Sequence, residues 1–481
     1  MRKSFIVNLV FLLTLNFLIK PFWIFGIDRT VQNITGSVSY GFYFSLFSFS
    51  LVFYNLLDLG ITNYNNREIA QHNQLLKKYF SNIFGMKVLL GIMYFVFCMI
   101  LGLFIGYSLK QLSFLFVILF NQFLSSFILY LRSNVSALYY FKTDSILSVL
   151  DRLLMILICG FLLWSKFIKT EFKIEWFVYA QTASYVLTFL TALLIVLAQT
   201  GRLRFRIDIR YAIIILKKSF PYALLILLMS SYTYFDSVMI ERLLPEGKYQ
   251  TGIYAQSFRI FNALAMFALL FANLLLPMFS RMIKNKEPVD QLVHLSFTML
   301  FIVSFLSAVS SIFYREEIMN LLYDDVTNES LSVFSILILG FIAVSTTYIF
   351  GTLLTANGNL KHLNRMAVLG VFLNVGLNLL LIPKFYALGA AIASLFTQFV
   401  TAGIQVILSV KIFQFKTNWK YIIKLLVFSF LIILCLKFTR NVQYHWILKF
   451  FTINFTGLVL AVVFDILPFK EGVRKIKTVW S

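Results

Sequence analysis

Long apolar runs separated by short charged gaps dominate this chain and restrict what it can fold into. Of its 481 residues, 60% are hydrophobic, and the mean hydropathy is +0.85. A helix needs about 20 apolar residues to cross a bilayer, and roughly 14 such runs occur. We therefore predict an all-α polytopic membrane protein. The predicted spans lie near 4–26, 38–62, 80–106, 111–138, 146–164, 176–199, 213–238, 251–279, 291–313, 332–355, 364–384, 387–410, 421–438 and 445–467.

Positive charge is sorted into alternate gaps between these runs. The net charge is +22, from 42 Lys and Arg against 20 Asp and Glu. With Arg2 and Lys3 placed inside, about 25 of the cations fall in the even gaps and the tail, against about 11 in the odd gaps. Cytoplasmic loops collect Lys and Arg, so both termini are predicted to be cytoplasmic. The basic loops are interpreted as anchors to lipid headgroups, and no nucleic acid is expected as a partner.

The sequence contains no recognisable catalytic or metal-binding motif. Cys98, Cys159 and Cys435 lie within predicted spans, and their number and spacing disfavour a disulfide framework. The 4 histidines are scattered without ligand spacing, and no glycine-rich phosphate loop of the P-loop type occurs. We predict that the protein is not an enzyme and needs no cofactor.

An acidic segment lies in the longest predicted outer gap, residues 314–331. Its centre, from Glu316 to Asp325, is interpreted either as a short helix lying on the membrane or as a solvated turn. The apolar residues that such a helix would lay on the membrane are Ile318, Met319, Leu321 and Leu322.

Several cations fall within apolar runs, where charge is expensive. Arg259 lies about two turns inside the eighth span from its outer end. A buried guanidinium binds an anionic substrate or pairs with a carboxylate, for which Asp236 is the candidate. The cations within apolar runs are Lys20, Lys87, Arg132, Arg152, Arg259 and Lys449.

The remaining cations of this set have different predicted surroundings. Arg132 and Arg152 are expected to lie near helix ends and to snorkel towards the interface. Lys20 is interpreted as lining a cavity, with snorkelling as the alternative. Lys87 and Lys449 are candidates for ion pairs or for ion coupling.

Polar residues form stripes along three predicted spans when the chain advances by about 100° per residue. Polar groups in lipid are costly, so each stripe should face the bundle interior. A single stripe is explained by hydrogen bonds between helices, whereas stripes on separate spans favour a central hydrophilic path. The stripes are Ser48, Asn55, Asp58 and Thr62 on the second span; Gln256, Arg259, Asn262 and Asn273 on the eighth; and Asn364, Asn374 and Asn378 on the eleventh.

A short internal repeat suggests two similar halves. Ser39–Tyr43 opens the second predicted span and Thr251–Tyr254 opens the eighth, and both contain Gly-x-Tyr. The separation equals six spans, which predicts two six-helix lobes around a central cavity, followed by two extra helices. The predicted parts are an N-terminal lobe at 1–200, a basic cytoplasmic connector at 201–218, a C-terminal lobe at 219–412, and the additional helices and basic tail at 413–481.

Short motifs distributed over most of the chain carry a family resemblance. The motifs are Asp58–Gly60 with Arg67–Ala70, Pro221 and Asp236 flanking the seventh span, Gly252–Tyr254, Arg259 with Ile260, Asn374–Asn378, Leu381–Pro383 and Gly389–Ala393. In their order and position the chain resembles the polysaccharide repeat-unit flippases of the O-antigen and capsule type (Wzx-like). These belong to the multidrug/oligosaccharidyl-lipid/polysaccharide (MOP) exporter superfamily.

The resemblance implies a function at the bacterial inner membrane. It implies that oligosaccharide units linked to undecaprenyl pyrophosphate move from the cytoplasmic to the periplasmic leaflet by alternating access. Related peptidoglycan-precursor flippases place cations on their first and eighth helices, which implies cavity roles for Lys20, Arg29 and Arg259. Gln256, Asn262, Asn55, Asp58, Asn374 and Asn378 would line the cavity beside them. Coupling to a proton or sodium gradient is left open, as are contacts with a polysaccharide polymerase and chain-length machinery.

Two other functions are kept as alternatives. A cation-coupled multidrug exporter of the same superfamily would be expected to carry acidic residues in its cavity, whereas the deep charges here are mostly basic. A membrane polysaccharide polymerase or glycosyltransferase generally has a large outer loop or an acidic pair in the first outer loop. The first predicted outer gap offers only Asp28 and Arg29 as charged residues.

Overall fold

The computed structural model describes residues 14–16, 18–62, 65–66, 69, 72, 74–165, 171–201, 209–416, 418–439, 443–464 and 466. Over these residues the chain is helical and contains no β-strand, which confirms the all-α prediction. A π-helix (Trp23–Asp28) and a 3-10 helix (Tyr54–Leu57) accompany the α-helices. The α-helices are α1 (Arg29–Val52), α2 (Leu75–Phe104), α3 (Leu109–Ala137), α4 (Phe141–Trp164), α5 (Ile174–Thr200), α6 (Ile209–Leu243), α7 (Gly247–Lys284), α8 (Asp290–Phe313), α9 (Arg315–Leu322), α10 (Asn328–Ala356), α11 (Leu360–Phe413), α12 (Trp419–Thr439) and α13 (Trp446–Val463).

Most of these helices are long and apolar enough to cross a bilayer. The described residues contain 11 such helices, and their outward faces carry large exposed hydrophobic side chains such as Phe104, Leu194 and Phe372. Exposed apolar side chains suit lipid in place of water. α11 has 54 residues and bends at Tyr386, where φ is 52° and ψ is −134°, so each arm is long enough to span a membrane alone. The total of 14 spans and the cytoplasmic position of the termini stay predictions.

The start of the chain departs from the predicted spans. Helical structure continues through most of the predicted outer gap at 27–37, because the π-helix runs directly into α1. The break occurs instead at Gly36, with φ 75° and ψ 163°, a conformation that glycine adopts without steric cost. Asp28 and Arg29 therefore lie within helical structure, and their predicted position in an open gap is wrong.

The second predicted span is also interrupted. α1 ends at Val52, the 3-10 helix follows, and φ is positive at Leu59 (47°) and Gly60 (84°). The predicted continuous helix at 38–62 is therefore wrong, and helical periodicity does not explain its polar stripe. Asp58 accepts a hydrogen bond from the Thr62 backbone N–H at 3.2 Å and another from the Thr62 hydroxyl. Such local side-chain bonds compete with regular helix and favour turns.

The chain divides into two compact units, residues 1–252 and 253–481. In the first unit α1 packs against α6. α3 packs against α5, and buried Phe127 and Leu131 of α3 form a cluster there with Phe80 of α2. In the second unit α10 packs against both α8 and α11, and α12 and α13 pack against α8. Phe428 and Ile432 fill the contact between α8 and these last helices. The lobe and connector boundaries predicted from the sequence stay predictions.

The acidic segment at 314–331 contains a helix, α9, as one of its two interpretations predicted. Met319 is completely buried and Ile318 packs against the cluster formed with α12 and α13. The predicted arrangement, with these apolar residues lying on the membrane, is therefore wrong for Met319, because the helix turns that side chain into the protein.

The repeated Gly-x-Tyr pattern marks a close approach of two backbones. A Cβ atom built on Gly41 would lie 2.6 Å from the backbone nitrogen of Gly252 and would overlap the carbonyl oxygen of Lys248. A Cβ atom on Gly252 would overlap the backbone of Ser37 in the same way. Gln32 donates a hydrogen bond to the Gly252 carbonyl at 3.0 Å. Both glycines of the repeat are thus required for α1 to contact the start of α7.

Candidate functional site

A polar cavity of about 490 Å³ lies within the first unit. It forms where the interrupted second span, α3, the start of α4 and α6 come together. Three of its lining residues, Asp58, Arg132 and Asp144, are charged, which is costly in a membrane protein unless the charges are paired. The lining residues are Leu51, Tyr54, Asn55, Asp58, Thr62, Asn66, Ser126, Leu129, Arg132, Ser133, Ser136, Asp144, Ile226, Ser230 and Tyr234.

Asp58 connects this cavity to a buried lysine on α2. The Lys87 ammonium donates to Asp58 Oδ1 at 2.7 Å and to Ser126 Oγ at 2.7 Å. The Lys87 side chain is 1% exposed, whereas that of Asp58 is 21% exposed. Ser126 in turn donates to the Leu57 carbonyl at 3.3 Å, which fixes the broken segment against α3. A predicted coupling candidate and a predicted cavity residue are therefore partners in one network.

A second ion pair lies at the same cavity and was missed in the sequence. The Arg132 Nε donates to Asp144 Oδ1 at 2.9 Å, between α3 and the first turn of α4. The side chains of Arg132 and Asp144 are 21% and 17% exposed. Arg132 is thus held by a carboxylate at the cavity wall, and the prediction that it snorkels to a headgroup is wrong.

Arg152 is also placed differently from its prediction. It lies about halfway along α4, since that helix begins at Phe141. Its guanidinium carbon is 5.4 Å from the Trp23 ring centroid and 5.8 Å from that of Tyr185, and its Nε is 3.8 Å from Asp151 Oδ2. Aromatic faces attract a guanidinium and shield it from lipid. Arg152 therefore does not snorkel from a helix end, because its partners lie inside the unit.

Lys20 lies beside this cluster. It is half-buried on the helical segment that precedes the π-helix, and it interacts electrostatically with Arg152, Asp151 and Arg132. Asn16, one turn before it, donates to Ser148 Oγ on α4 at 3.2 Å. Around Lys20 the first unit therefore gathers three of its four cations from apolar runs, Lys20, Arg132 and Arg152, and the carboxylates Asp144 and Asp151 lie beside the two arginines.

Of the other candidates in the first unit, Arg29 and Asp236 do not line the cavity, whereas Asn55 does. Arg29 is half-buried at the first position of α1, next to Asp28, which accepts a hydrogen bond from the Tyr40 hydroxyl at 2.9 Å. Asp236 is completely buried on α6. Asn55 donates to the Ala223 carbonyl on α6 at 2.7 Å, which ties the broken segment to that helix.

In the second unit the polar residues of α7 have different environments. Gln256 is buried, and its side-chain amide donates to the Asp325 backbone carbonyl at 3.1 Å. Its backbone carbonyl accepts a hydrogen bond from the Tyr323 hydroxyl at 3.1 Å. Arg259 and Asn262 are half-buried, and Asn273 is exposed. Gln256 thus joins α7 to the segment after α9, a structural role that its sequence position did not indicate.

The asparagines of α11 form a compact pair. Asn374 and Asn378 are both completely buried, and the Asn378 amide donates to Asn374 Oδ1 at 3.2 Å. Lys449 lies in the first turn of α13 and is half-buried, so it is near a helix end. The asparagine pair and the first-unit cavity belong to different units of the chain.

A further polar seam on α11 was not recognised in the sequence. Ser394, Thr397, Gln398, Thr401 and Gln405 are all buried along the arm that follows Tyr386. These glutamines pack against two glycines of α10. A Cβ atom built on Gly340 would lie 2.6 Å from Gln398 Oε1, and one built on Gly351 would lie 2.7 Å from Gln405 Oε1. Small residues that admit polar side chains are typical of packed membrane helices. The spacing of three and four residues was the available signal.

The fold is shared with solved membrane transporters. A structure titled lipid II flippase MurJ, inward closed conformation, superposes with a TM-score of 0.73 at 14% identity, covering 96% of this chain and 100% of that one. An inward-facing multidrug resistance MATE family transporter of the MOP superfamily superposes with a TM-score of 0.65 at 14% identity, covering 81% and 94%. The chain therefore shares the helical fold of these transporters. With 11 apolar helices among its described residues, it is a multi-pass membrane protein.

The family follows from the sequence match. A family model described as polysaccharide biosynthesis protein matches residues 7–283, more than half of the chain, and a MatE model matches residues 221–380. The chain belongs to the polysaccharide biosynthesis protein family, in the bacterial inner membrane. Capsular polysaccharide biosynthesis protein CapF of Staphylococcus aureus is 27% identical over 157 residues, which cover 32% of this chain and 39% of that protein.

Proposed function

We propose that this protein is a flippase that moves undecaprenyl-pyrophosphate-linked oligosaccharide units from the cytoplasmic to the periplasmic leaflet for surface polysaccharide synthesis. The observation that carries the proposal is the polysaccharide biosynthesis family match over residues 7–283, which includes the whole polar cavity of the first unit. Its partners would be the lipid-linked oligosaccharide and membrane lipids, with a polymerase and chain-length machinery acting on the product.

The charges in the first unit support an anionic substrate. Lys20 lies within electrostatic range of both Arg132 and Arg152. A diphosphate that enters a low-dielectric region needs such fixed cations, and an arginine fork binds phosphate oxygens in pairs. Serine, threonine and asparagine side chains of the cavity offer hydrogen bonds to sugar hydroxyls. Under the predicted topology Asp144 and Asn66 lie near cytoplasmic gaps, where substrate would enter.

A multidrug exporter is the second candidate, because a MatE model matches residues 221–380. Cationic drugs require uncompensated carboxylates in the binding cavity. Asp58 and Asp144, the carboxylates that line this cavity, are each paired with a cation. This pairing favours the polysaccharide-precursor flippase.

The function is tested by deleting the gene and analysing lipid-linked sugars. We expect complete repeat units to accumulate on undecaprenyl pyrophosphate in the inner leaflet, because synthesis continues while translocation stops. Incomplete units would indicate an assembly enzyme instead, and an unchanged glycan with a changed drug tolerance would indicate an exporter.

The role proposed for Arg259 is tested by Arg259→Ala, with Arg281→Ala as the matched control at the exposed end of the same helix. We expect Arg259→Ala to abolish glycan export while the protein stays in the membrane, and Arg281→Ala to leave export unchanged. Normal glycan levels in the Arg259 variant would show that Arg259 is not needed for substrate binding.

A further inference from the structure

Lys87 is a lysine sealed in the interior of a membrane protein. It lies on the continuous helix α2 and is 1% exposed, and its ammonium is held by Asp58 and by Ser126 of α3, both at 2.7 Å. A buried ammonium is tolerated only while an opposite charge neutralises it. Asp58 is the carboxylate that does so among the described residues.

The two members of the pair differ in their access to the cavity. The Asp58 side chain is 21% exposed and lines the 490 Å³ cavity, whereas Lys87 lies behind it and is absent from the lining. A proton that arrives through the cavity therefore meets the carboxylate first. The pair connects a polar, accessible space to a dry interior.

The backbone that carries Asp58 is irregular, while the backbone that carries Lys87 is not. Asp58 follows the 3-10 helix and precedes Leu59 and Gly60, whose φ values are 47° and 84°. This segment lacks the continuous hydrogen bonding of an α-helix, so it can rearrange when one of its side-chain contacts changes. The Lys87–Asp58 ion pair connects this irregular segment to the continuous helix α2.

We propose that Asp58 is a proton-binding site and that its occupancy is linked to the binding of an anion in the adjoining cavity. The identity of the anion as the lipid diphosphate rests on the proposed function. A proton from cavity water binds a carboxylate oxygen of Asp58 and gives the neutral acid, while Lys87 keeps its own proton and its charge. The pair then changes from net zero to a net charge of +1.

A net positive charge in this interior is unfavourable until an anion occupies the cavity. Conversely, a bound anion makes the Asp58 carboxylate less favourable, because the two charges are alike. Proton and anion therefore bind with positive cooperativity, and each raises the affinity for the other. A transporter with this linkage takes up a proton as it binds its substrate.

Other groups near Asp58 bear on its protonation. On its own segment the Thr62 hydroxyl donates to Asp58, and Tyr54 lies within electrostatic range of it. Ser126 of α3 contacts the Lys87 ammonium beside it, and Tyr234 lines the same cavity from α6. Across the cavity Asp144 is paired with Arg132, whose side chain is 21% exposed and thus partly solvated. Loss of the Asp144 charge would therefore not strand a buried cation, which makes Asp144 the matched control.

The proposal is tested by infrared titration of the purified protein in lipid nanodiscs, from neutral to acidic pH. Each of the 20 Asp and Glu side chains gives a carbonyl stretch when it is protonated, so the signal is the difference between wild-type and variant spectra. We expect the wild type to show a titrating component that Asp58→Asn lacks and that Asp144→Asn keeps. Inorganic pyrophosphate, and separately undecaprenyl pyrophosphate, should tighten proton binding about tenfold and move the midpoint to higher pH.

Two outcomes would overturn the proposal: the same titrating band in Asp58→Asn, or a wild-type midpoint that neither diphosphate moves. If Asp58→Asn does not fold, Asp58→Glu keeps the acid and must shift the band, and an unchanged spectrum would equally refute the assignment. The titration measures no transport, so it stands apart from the deletion experiment. A failure of lipid-linked sugar to accumulate there would remove the flippase function and leave the proton site intact.

Discussion

Single residues in this protein are distinguished by what surrounds them rather than by their type. Lys87 and Arg152 both lie in the middle of apolar helices, but one is held by a carboxylate and a hydroxyl, and the other lies near the rings of Trp23 and Tyr185. Arginine suits the second environment because its planar guanidinium stacks on aromatic faces, whereas an ammonium does not. The sequence shows that both are stranded in apolar runs, but the partners come from other helices.

The asymmetry of the Lys87–Asp58 pair predicts unequal effects of removing each charge. Asp58→Asn leaves a 1% exposed ammonium without a counter-charge, and breaking a buried pair in this way costs about 3–5 kcal/mol of the free energy of unfolding. Lys87→Met leaves a carboxylate that is partly exposed to the cavity, so it should cost less. Thermal unfolding in lipid at neutral pH would measure both.

The double variant Asp58→Asn/Lys87→Met provides the control for this prediction. It removes both charges, so it should recover much of the stability that Asp58→Asn loses. A larger loss in Lys87→Met than in Asp58→Asn would contradict the asymmetry.

At the scale of elements, helix ends follow the sequence closely and helix breaks do not. α8 (Asp290–Phe313) and α12 (Trp419–Thr439) match their predicted spans to within a few residues, since charge and turn residues mark where apolar runs stop. The break at Gly36 lies within the predicted gap at 27–37, but the helix on either side of it was not predicted. The break around Leu59 interrupts an apolar run in which hydropathy gives no signal. Asn55 and Asp58 still meet at the cavity, by way of the broken segment rather than a helical stripe.

The contact between α1 and the start of α7 predicts that two helical glycines differ in their tolerance of substitution by alanine. Gly41→Ala places a methyl group against the backbone of Lys248 and Gly252, which cannot move aside as a side chain would. We expect a large loss of thermal stability or failure to accumulate in the membrane.

Gly376→Ala on α11 is the matched control for Gly41→Ala, because no atom lies within 4 Å of a Cβ atom built at Gly376. Alanine in an open helical position should be neutral or stabilising by about 0.5–1 kcal/mol. Equal effects of the two substitutions on the melting temperature would show that the close approach of α1 and α7 is unimportant.

The whole molecule has two compact units in one chain, each with its own buried polar features. The first unit holds the ion-paired cavity, and the second holds the Asn374–Asn378 pair and the polar seam of α11. The sorting of Lys and Arg into alternate gaps assigns an orientation to this chain that packing alone does not supply.

That orientation predicts the outcome of reporter fusions. Green fluorescent protein at the C-terminus should fluoresce, because it folds in the cytoplasm, and alkaline phosphatase there should be inactive. Alkaline phosphatase inserted in the gap between α6 and α7 should be active, because that gap is predicted to be periplasmic. Inactive enzyme at this second position would reverse the orientation of the chain.

The sequence by itself determined the class of protein, the approximate spans, the predicted orientation and the set of stranded cations. These properties depend on local composition, because the free energy of transferring a helix into lipid is the sum of contributions from its own residues. Only the tertiary structure decided which charges are paired, such as Arg132 with Asp144. It also placed Arg152 beside the Trp23 ring, and Asp58 between the cavity and buried Lys87. Those contacts join residues from separate helices, and electrostatic energy depends on distance and burial rather than on position in the sequence.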